Sequence, residues 1–187
     1  MIPAPDQITG LLPPGRHRAN WAEIEDVFVE KAPHVAERRL LFTRLRDWAE
    51  QCWSILPKAE LWLDGSFVRY DTAQAPFDVD VVAFVEVDDL GSVLMQVQGE
   101  LNLASGDARL GGPPRKCPFA VRWLSLWTLE NVRSPGLEAP KIQPFGSSVD
   151  GFYAQTSEHA KATWHRSWSG VAAGGPEKGY LQVVPGV

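Results

Sequence analysis

Two aspartates, Asp78 and Asp80, alternate at the point where an apolar run begins, in the stretch PFDVDVVAFVEV. Side chains at positions i and i+2 of a strand project from the same face, so a strand here brings both carboxylates into one small volume. Two neighbouring carboxylates raise each other's pKa unless a cation lies between them. Because carboxylate oxygens favour Mg²⁺ or Mn²⁺, Asp78 and Asp80 are predicted to be metal ligands and the catalytic residues of such a site.

A Gly-Ser pair, Gly65 and Ser66, ends an earlier apolar stretch, LWLDGSFV, and eleven residues separate it from Asp78. Glycine lets the backbone approach a ligand closely, and Ser66 offers a hydroxyl and an amide at the start of a predicted short helix from Ser66 to Tyr70. This turn is predicted to bind phosphate. Lys178, in the later turn GGPEKG, is a further candidate contact to a nucleoside triphosphate, although a lysine in a turn is more often simply solvated.

The order of a hydrophobic strand, Gly65-Ser66 and Asp78-Val79-Asp80-Val81 resembles the signature of the polymerase-beta-like nucleotidyltransferase superfamily. The resemblance implies that Gly65 and Ser66 hold the phosphates of a nucleotide. It also implies that Asp78 and Asp80 bind the metal ions, Mg²⁺ or Mn²⁺, that assist nucleotidyl transfer. A narrower similarity, to a small bacterial and phage group within that superfamily, spans most of the chain but brings no substrate; it is carried by LPPGRHRANWAEI, LWLDGSFV, PFDVDVV and GGPEKGYLQVV.

The superfamily pattern usually includes a third carboxylate on a later strand, and the sequence departs from that pattern. The next predicted strand is 119–126, and by order along the chain the third acid falls near Arg122, which is a cation. Asp107 and Glu130 are possible substitutes, but neither is central in a predicted strand. A third carboxylate is therefore not evident, and Arg122 would pair with an aspartate rather than bind metal.

Two functions follow from these observations. The first is a metal-dependent nucleotidyltransferase that moves a nucleoside monophosphate from a nucleoside triphosphate to an acceptor on an RNA end, a protein or a small molecule. The alternative is a catalytically degenerate module of the same fold that binds a nucleotide, RNA or protein, and by resemblance alone it would suit a toxin-antitoxin or phage-defence system. A structural role has only the proline-rich start and the long loops in its favour.

The composition is that of a globular protein, because 187 residues with 44% hydrophobic and 22% charged residues suffice for one core. The net charge of -5 argues against general binding to duplex DNA, which needs a basic surface. Cys52 and Cys117 are too few for a disulfide framework and favour a reducing compartment. With no apolar run of about 18 residues and no signal-peptide layout, we expect a cytoplasmic protein that is not in a membrane.

The elements expected around the site form an α+β fold, a nucleotidyltransferase-like mixed central sheet flanked by helices, in a single domain over 1–187. An irregular N-terminal arm, 1–18, leads to a helix that Asn20 caps together with Glu23. The arginines of the next helix are expected on its solvated face. The other predicted elements are a helix from about His34 to Leu56, strands Leu61 to Asp64 and Val79 to Val85, a helix Leu90 to Leu101, a loop 131–151, a helix from about Gly151 to Trp168 and a short final strand.

Overall fold

The computed structural model describes residues 1–70, 73–109, 119, 123, 144–170 and 176–184, without the side chains of 105–109 and 144. Within these residues five strands form one mixed sheet, and helices pack on both of its faces, so the fold class is α+β. The strands are β1 (Gly15–Ala19), β2 (Glu60–Asp64), β3 (Val79–Val85), β4 (Val149–Gln155) and β5 (Gly179–Val183).

The helices are α1 (Trp21–Glu25), α2 (Val35–Ile55), α3 (Val87–Arg109) and α4 (Glu158–Trp168), with a π-helical segment, Asp26–Glu30, directly after α1. The predicted cap of α1 is confirmed: the Asn20 side chain accepts the Glu23 backbone N–H at 2.9 Å, and the Glu23 carboxylate accepts the Asn20 backbone N–H at 3.1 Å. The long second helix is confirmed to within one residue at each end. No helix of the described residues is long and apolar enough to cross a membrane.

The strand order across the sheet is β1-β5-β2-β3-β4. Strand β2 runs antiparallel to both β3 and β5, whereas β1 with β5 and β3 with β4 form parallel pairs. A parallel neighbour requires a crossover connection, and α3 lies in the connection from β3 to β4. Strand β3 is buried on both faces, which explains its almost continuous apolar sequence.

Alternation along the strands gives the sheet two different faces. One face packs against α1, α2 and α3 in the main core, and its strand residues include Leu61, Leu63, Val81, Val149 and Leu181. The opposite face carries Trp62, Phe84 and Tyr180, and α4 covers it with Trp164 and Trp168. The Trp62 and Phe84 ring centroids are 4.4 Å apart, so this smaller core is tightly packed.

Several expectations about the elements are wrong. The arm 1–18 is not wholly irregular, because β1 begins at Gly15. In the predicted strand 119–126 the two described residues, Phe119 and Trp123, are helical. The predicted loop 131–151 and the predicted helix from Gly151 are replaced, where the structure describes them, by the turn Pro144–Ser147 and by β4, and α4 begins only at Glu158.

The reason for the last error is that glycine and proline are typical of loops, whereas β4 is stabilised by pairing with the distant strand β3 rather than by local preference. Arg122, Glu130, Cys117 and the side chain of Asp107 lie outside the described residues. The prediction of a single domain over 1–187 likewise includes ranges that lie outside them.

Candidate functional site

Three aspartates lie side by side across three adjacent strands. Asp64 of β2 is opposite Asp80 of β3, and Asp80 is opposite Asp150 of β4. Neighbouring strands are about 4.8 Å apart, and residues directly opposite each other project from the same face. Asp78, just before β3, is close enough to raise the pKa of Asp80. We refer to Asp64, Asp78, Asp80 and Asp150 as the acidic row.

The main core fixes which way the acidic row points. Val79, Val81 and Val149 alternate with the aspartates and are fully buried against the helices on the opposite face. A slip of one residue would bury the carboxylates in that core, so the register is strongly determined. The acidic row therefore lies on the α4 face, at the end of β2 and at the beginnings of β3 and β4.

Asp150 is the residue that sequence reasoning missed. The third carboxylate was expected near Arg122, but the strand beside β3 is β4, and at the level of Asp80 it carries Asp150, which is 5% exposed. Strand β4 thus carries an acidic side chain beside Asp80 that the sequence analysis did not identify. A signal was present in the sequence, because Val149-Asp150 repeats the order of Val79-Asp80 at the start of a strand.

Asp80, at the centre of the acidic row, has a strongly perturbed carboxyl group. Burial raises its pKa to about 7, with further increases from the charges of Asp78, Asp150 and Asp64 and a decrease from Lys178. An ionised carboxylate in such a place is unfavourable unless a positive charge offsets it. The surroundings of Asp80 thus match those expected of a cation ligand.

The predicted Gly-Ser turn lies directly against this carboxylate. Gly65 has φ 83° and ψ −163°, and a Cβ atom at this position would be 2.1 Å from Oδ2 of Asp80. Only glycine permits both this conformation and this approach. The helix expected from Ser66 to Tyr70 is a single 3₁₀ turn, Ser66–Val68, and Ser66 is exposed at its start.

A buried arginine holds the turn from behind. Arg38 was expected on a solvated face of α2, but it is fully buried, and that expectation is wrong. Its guanidinium donates hydrogen bonds to the carbonyl oxygens of Phe67 at 2.7 Å, Arg69, Phe28 at 3.2 Å and Pro33 at 2.8 Å. In a regular helix or strand, backbone N–H groups would donate hydrogen bonds to these carbonyl oxygens. Here the Arg38 guanidinium donates them instead.

Lys178 reaches the same face from β5, the strand that borders β2 on the side away from β3. Its Nζ atom donates to both Oδ1 and Oδ2 of Asp64, each at 2.5 Å. Burial raises the pKa of Asp64 to about 6, while the charge and hydrogen bonds of Lys178 lower it. The structure therefore brings together Gly65, Asp78, Asp80 and Lys178, with Ser66 next in the chain.

The protein side chains at this site would supply only part of the coordination of a metal ion. No group of three His, Cys, Asp or Glu side chains among the described residues is arranged to hold a metal ion. Mg²⁺, however, usually takes only one or two protein carboxylates, with waters and substrate phosphates completing its coordination. Asp78 and Asp80, with Asp150 beside them, fit this mode of binding.

A separate cavity of about 730 Å³ lies away from the acidic row. It is bounded by the start of the chain, by Glu23, Asp26, Val27 and Lys31, and by Tyr70. Its lining includes none of the four aspartates, so the chemistry of the site does not extend into it.

A model of a protein family of unknown function matches residues 4–184, a span that contains all five strands and the acidic row. No curated protein and no solved structure matches the chain. Because the family description names no activity, a function for the acidic row has to be inferred from its geometry.

Proposed function

The chain belongs to DUF6932, a family of unknown function, and we propose that it is a metal-dependent nucleotidyltransferase. It would move a nucleoside monophosphate from a nucleoside triphosphate to an acceptor hydroxyl. The observation that carries this proposal is the position of Asp150, directly opposite Asp80 on the neighbouring strand, while Gly65 packs against Asp80. A glycine turn and carboxylates from adjacent strands on one face support a nucleotidyltransferase-like sheet.

Each residue has a part that its position supports. Asp78 and Asp80, with Asp150 beside them, would provide one or two carboxylate ligands for Mg²⁺ or Mn²⁺, which would offset the negative charge that develops on the leaving pyrophosphate. The Gly65 backbone and the exposed Ser66 hydroxyl would orient the phosphates, because the absence of a Cβ lets them approach the carboxylates. The buried valines beneath the row keep these groups in place before the substrate arrives.

The transfer exchanges one phosphorus–oxygen bond for another. The acceptor oxygen forms a bond to the α-phosphorus, the bond from that phosphorus to the bridging oxygen breaks, and pyrophosphate leaves while the hydroxyl proton is released. The acceptor would belong to an RNA end, a protein side chain or a small molecule. The acidic row repels a polyphosphate, so binding of the nucleotide should require the divalent cation.

The test follows label from each α-³²P nucleoside triphosphate, with Mg²⁺ or Mn²⁺, into cellular RNA and into protein. Asp80→Asn and Asp150→Asn should each lose at least about a hundredfold of the transfer rate, since each removes a carboxylate at the reacting phosphates. Asp47→Asn is the matched control, because Asp47 is exposed on α2, and it should transfer at the wild-type rate. Transfer that is insensitive to Asp150→Asn would contradict the proposal.

A second candidate is a catalytically inactive module that binds a nucleotide or a nucleotide-bearing partner. It is favoured by one observation, the absence of a group of three metal-ligating side chains among the described residues. Isothermal titration of each nucleoside triphosphate with and without Mg²⁺ separates the two candidates. Cation-dependent binding that Asp80→Asn removes, without label transfer to any acceptor, would favour the binding module.

A further inference from the structure

The cavity beside the start of the chain is large enough for a small organic ligand. Its volume of about 730 Å³ falls within the range of about 300–1,000 Å³ that is usual for ligand sites in proteins. The residues that line it include the apolar Ile2, Val27 and Pro33 and the aromatic Tyr70. We refer to it as the N-terminal cavity.

Hydrogen bonds hold the walls of the N-terminal cavity in place. The first loop closes on itself, because the Gly10 N–H donates to the Asp6 carbonyl and the Asp6 N–H donates to the Leu11 carbonyl, both at 2.8 Å. The Tyr70 N–H donates to the Gly10 carbonyl at 2.8 Å. The Tyr70 hydroxyl in turn donates to the Val27 carbonyl, in the π-helical segment. A site built in advance in this way loses little conformational entropy when a ligand binds.

The charged side chains that line the N-terminal cavity are mainly acidic. Three are carboxylates and one is an ammonium group: Asp6, Glu23 and Asp26 against Lys31. Hydrogen bonds from the Thr9 backbone, the Thr9 hydroxyl and the Ile8 backbone keep the pKa of Asp6 below its ordinary value, so this carboxylate is ionised at neutral pH. Ionised carboxylates beside an apolar cavity favour a ligand of the opposite charge.

The lysine of this lining leaves Asp26 accessible to another cation. Its Nζ atom lies 2.5 Å from a carboxylate oxygen of Asp26, but the Lys31 and Asp26 side chains are 65% and 54% exposed. Such an exposed ion pair contributes little free energy, because water screens the charges. The cation of a ligand can therefore take the place of the Lys31 ammonium group.

One ammonium group on an apolar residue already lies against the lining. The Met1 amino group is 2.9 Å from Oε1 of Glu23, and Met1 itself lines the cavity. This contact is an example, within the molecule, of the chemistry that the cavity accepts. Tyr70 adds an aromatic surface, which also favours a cation.

We propose that the N-terminal cavity binds a small organic cation whose positive charge is carried on an apolar body, such as an arylalkylammonium ion. The apolar body would lie against Val27 and Pro33, and the ammonium group would bind the carboxylates of Asp6 and Asp26. A neutral molecule of the same shape gains only the apolar contacts, and an anion is repelled by the carboxylates. Because the lining includes none of the acidic row, this inference is independent of nucleotidyl transfer.

The experiment compares three probes of nearly equal size, 2-phenylethylamine, 2-phenylethanol and 3-phenylpropionate, by the shifts of backbone amide NMR signals at neutral pH. The amine should bind with a Kd on the order of 1 mM or below and should shift the amide signals of Val27 and Tyr70. The alcohol should bind at least about threefold more weakly, and phenylpropionate more weakly still. Added salt should weaken binding of the amine and leave that of the alcohol unchanged.

Substitutions test the charge and the space separately. Asp6→Asn keeps the side-chain oxygen that stabilises the first loop but removes the charge, so it should weaken amine binding about threefold, and the double variant with Asp26→Asn about tenfold. Neither should change binding of the alcohol. Ala4→Trp fills part of the cavity and should abolish binding of all three probes. Asp47→Asn, on α2 and outside the lining, is the matched control and should bind the amine like the wild type.

Amine-selective binding that the double variant weakens would support the inference whether or not label transfer is found. Equal binding of amine and alcohol by the wild type would overturn it, as would amine binding that the double variant leaves unchanged or that persists in Ala4→Trp. The absence of a saturable shift with any of the three probes would overturn it as well. Folding of each variant is checked by its thermal transition, and Ala4→Leu replaces Ala4→Trp if the larger side chain prevents folding.

Discussion

Replacing Asp80 by asparagine should stabilise the metal-free protein at neutral and alkaline pH. The side chain keeps its size and loses a charge that burial and three neighbouring carboxylates make unfavourable. The pKa of Asp80 is raised from 3.8 to about 7 in the folded protein, so the folded state binds more protons than the unfolded state between these values. The free energy of unfolding therefore falls as the pH rises through this window, and the loss is complete above about pH 7.

The magnitude follows from the same shift. Each pKa unit corresponds to about 1.36 kcal/mol, so the shift of roughly three units sets an upper limit of about 4 kcal/mol. Asp80 is only half-buried, and solvent screening reduces the effect, so we expect Asp80→Asn to raise the free energy of unfolding by about 1–3 kcal/mol. For a chain of this length that is about 2–12 °C in Tm.

The assay is urea denaturation with a chelator at about pH 8 and about pH 5, followed by Mg²⁺ addition at the higher pH. The gain from Asp80→Asn should be less than half as large at about pH 5, and Mg²⁺ should stabilise the wild type more than the variant. Asp47→Asn should stay within about 0.5 kcal/mol of the wild type throughout. A loss of stability in Asp80→Asn at about pH 8, or a gain of equal size at both pH values, would refute the reasoning.

Three further substitutions or treatments test how the site and core are built. Gly65→Ala adds a Cβ that collides with the Asp80 carboxylate at a φ of 83°, so the variant should lose Mn²⁺ binding and, in denaturation curves, at least about 2 kcal/mol of stability. The control Gly99→Ala, with open space around it on α3, should be neutral or stabilising. Equal effects of the two substitutions would contradict this prediction. Arg38→Met leaves buried carbonyl groups without a hydrogen-bond donor and should lower the free energy of unfolding by about 3–5 kcal/mol. The same substitution at the exposed Arg46 should lower it by less than about 0.5 kcal/mol. If Arg38→Met is tolerated, water replaces the guanidinium and the reasoning is contradicted. Burial raises the pKa of the Cys52 thiol to about 12, so peptide mapping should find it modified by a disulfide reagent only after unfolding, and modification in the native protein would contradict its burial.

The parts of the fold that could be predicted are those whose signals are local. A capping pair predicts the helix start at Asn20, a regular apolar stripe predicts α2, and apolar runs predict β2 and β3. Each of these patterns is contained within a short stretch of sequence. The proximity of Gly65 to Asp80 also follows locally, because β2 and β3 are antiparallel neighbours joined by one connection.

The rest of the site depends on contacts between distant parts of the chain. Asp150 reaches Asp80 only because β4 pairs in parallel with β3, and the repeated Val-Asp order at position 149 does not by itself indicate which strand β4 joins. In the sequence Lys178 resembles an ordinary lysine in a turn, and its contact with Asp64 depends on the pairing of β5 with β2. The burial of Arg38 likewise could not be predicted from the sequence, because its hydrogen-bond acceptors are backbone carbonyl groups, which every residue has.

The place of β5 in the sheet has a consequence for how the molecule assembles. This strand, the latest of those described, lies between β1 and β2, and β1 joins the sheet through β5. The sheet therefore closes through pairings between residues separated by more than a hundred positions, which is a slow kind of step in folding. Because Lys178 immediately precedes β5, the acidic row meets its lysine only when that closure occurs. A partly folded chain would hold Asp64 without its ammonium partner, and a divalent cation bound there would compete with Lys178. An added divalent cation should therefore slow the final step.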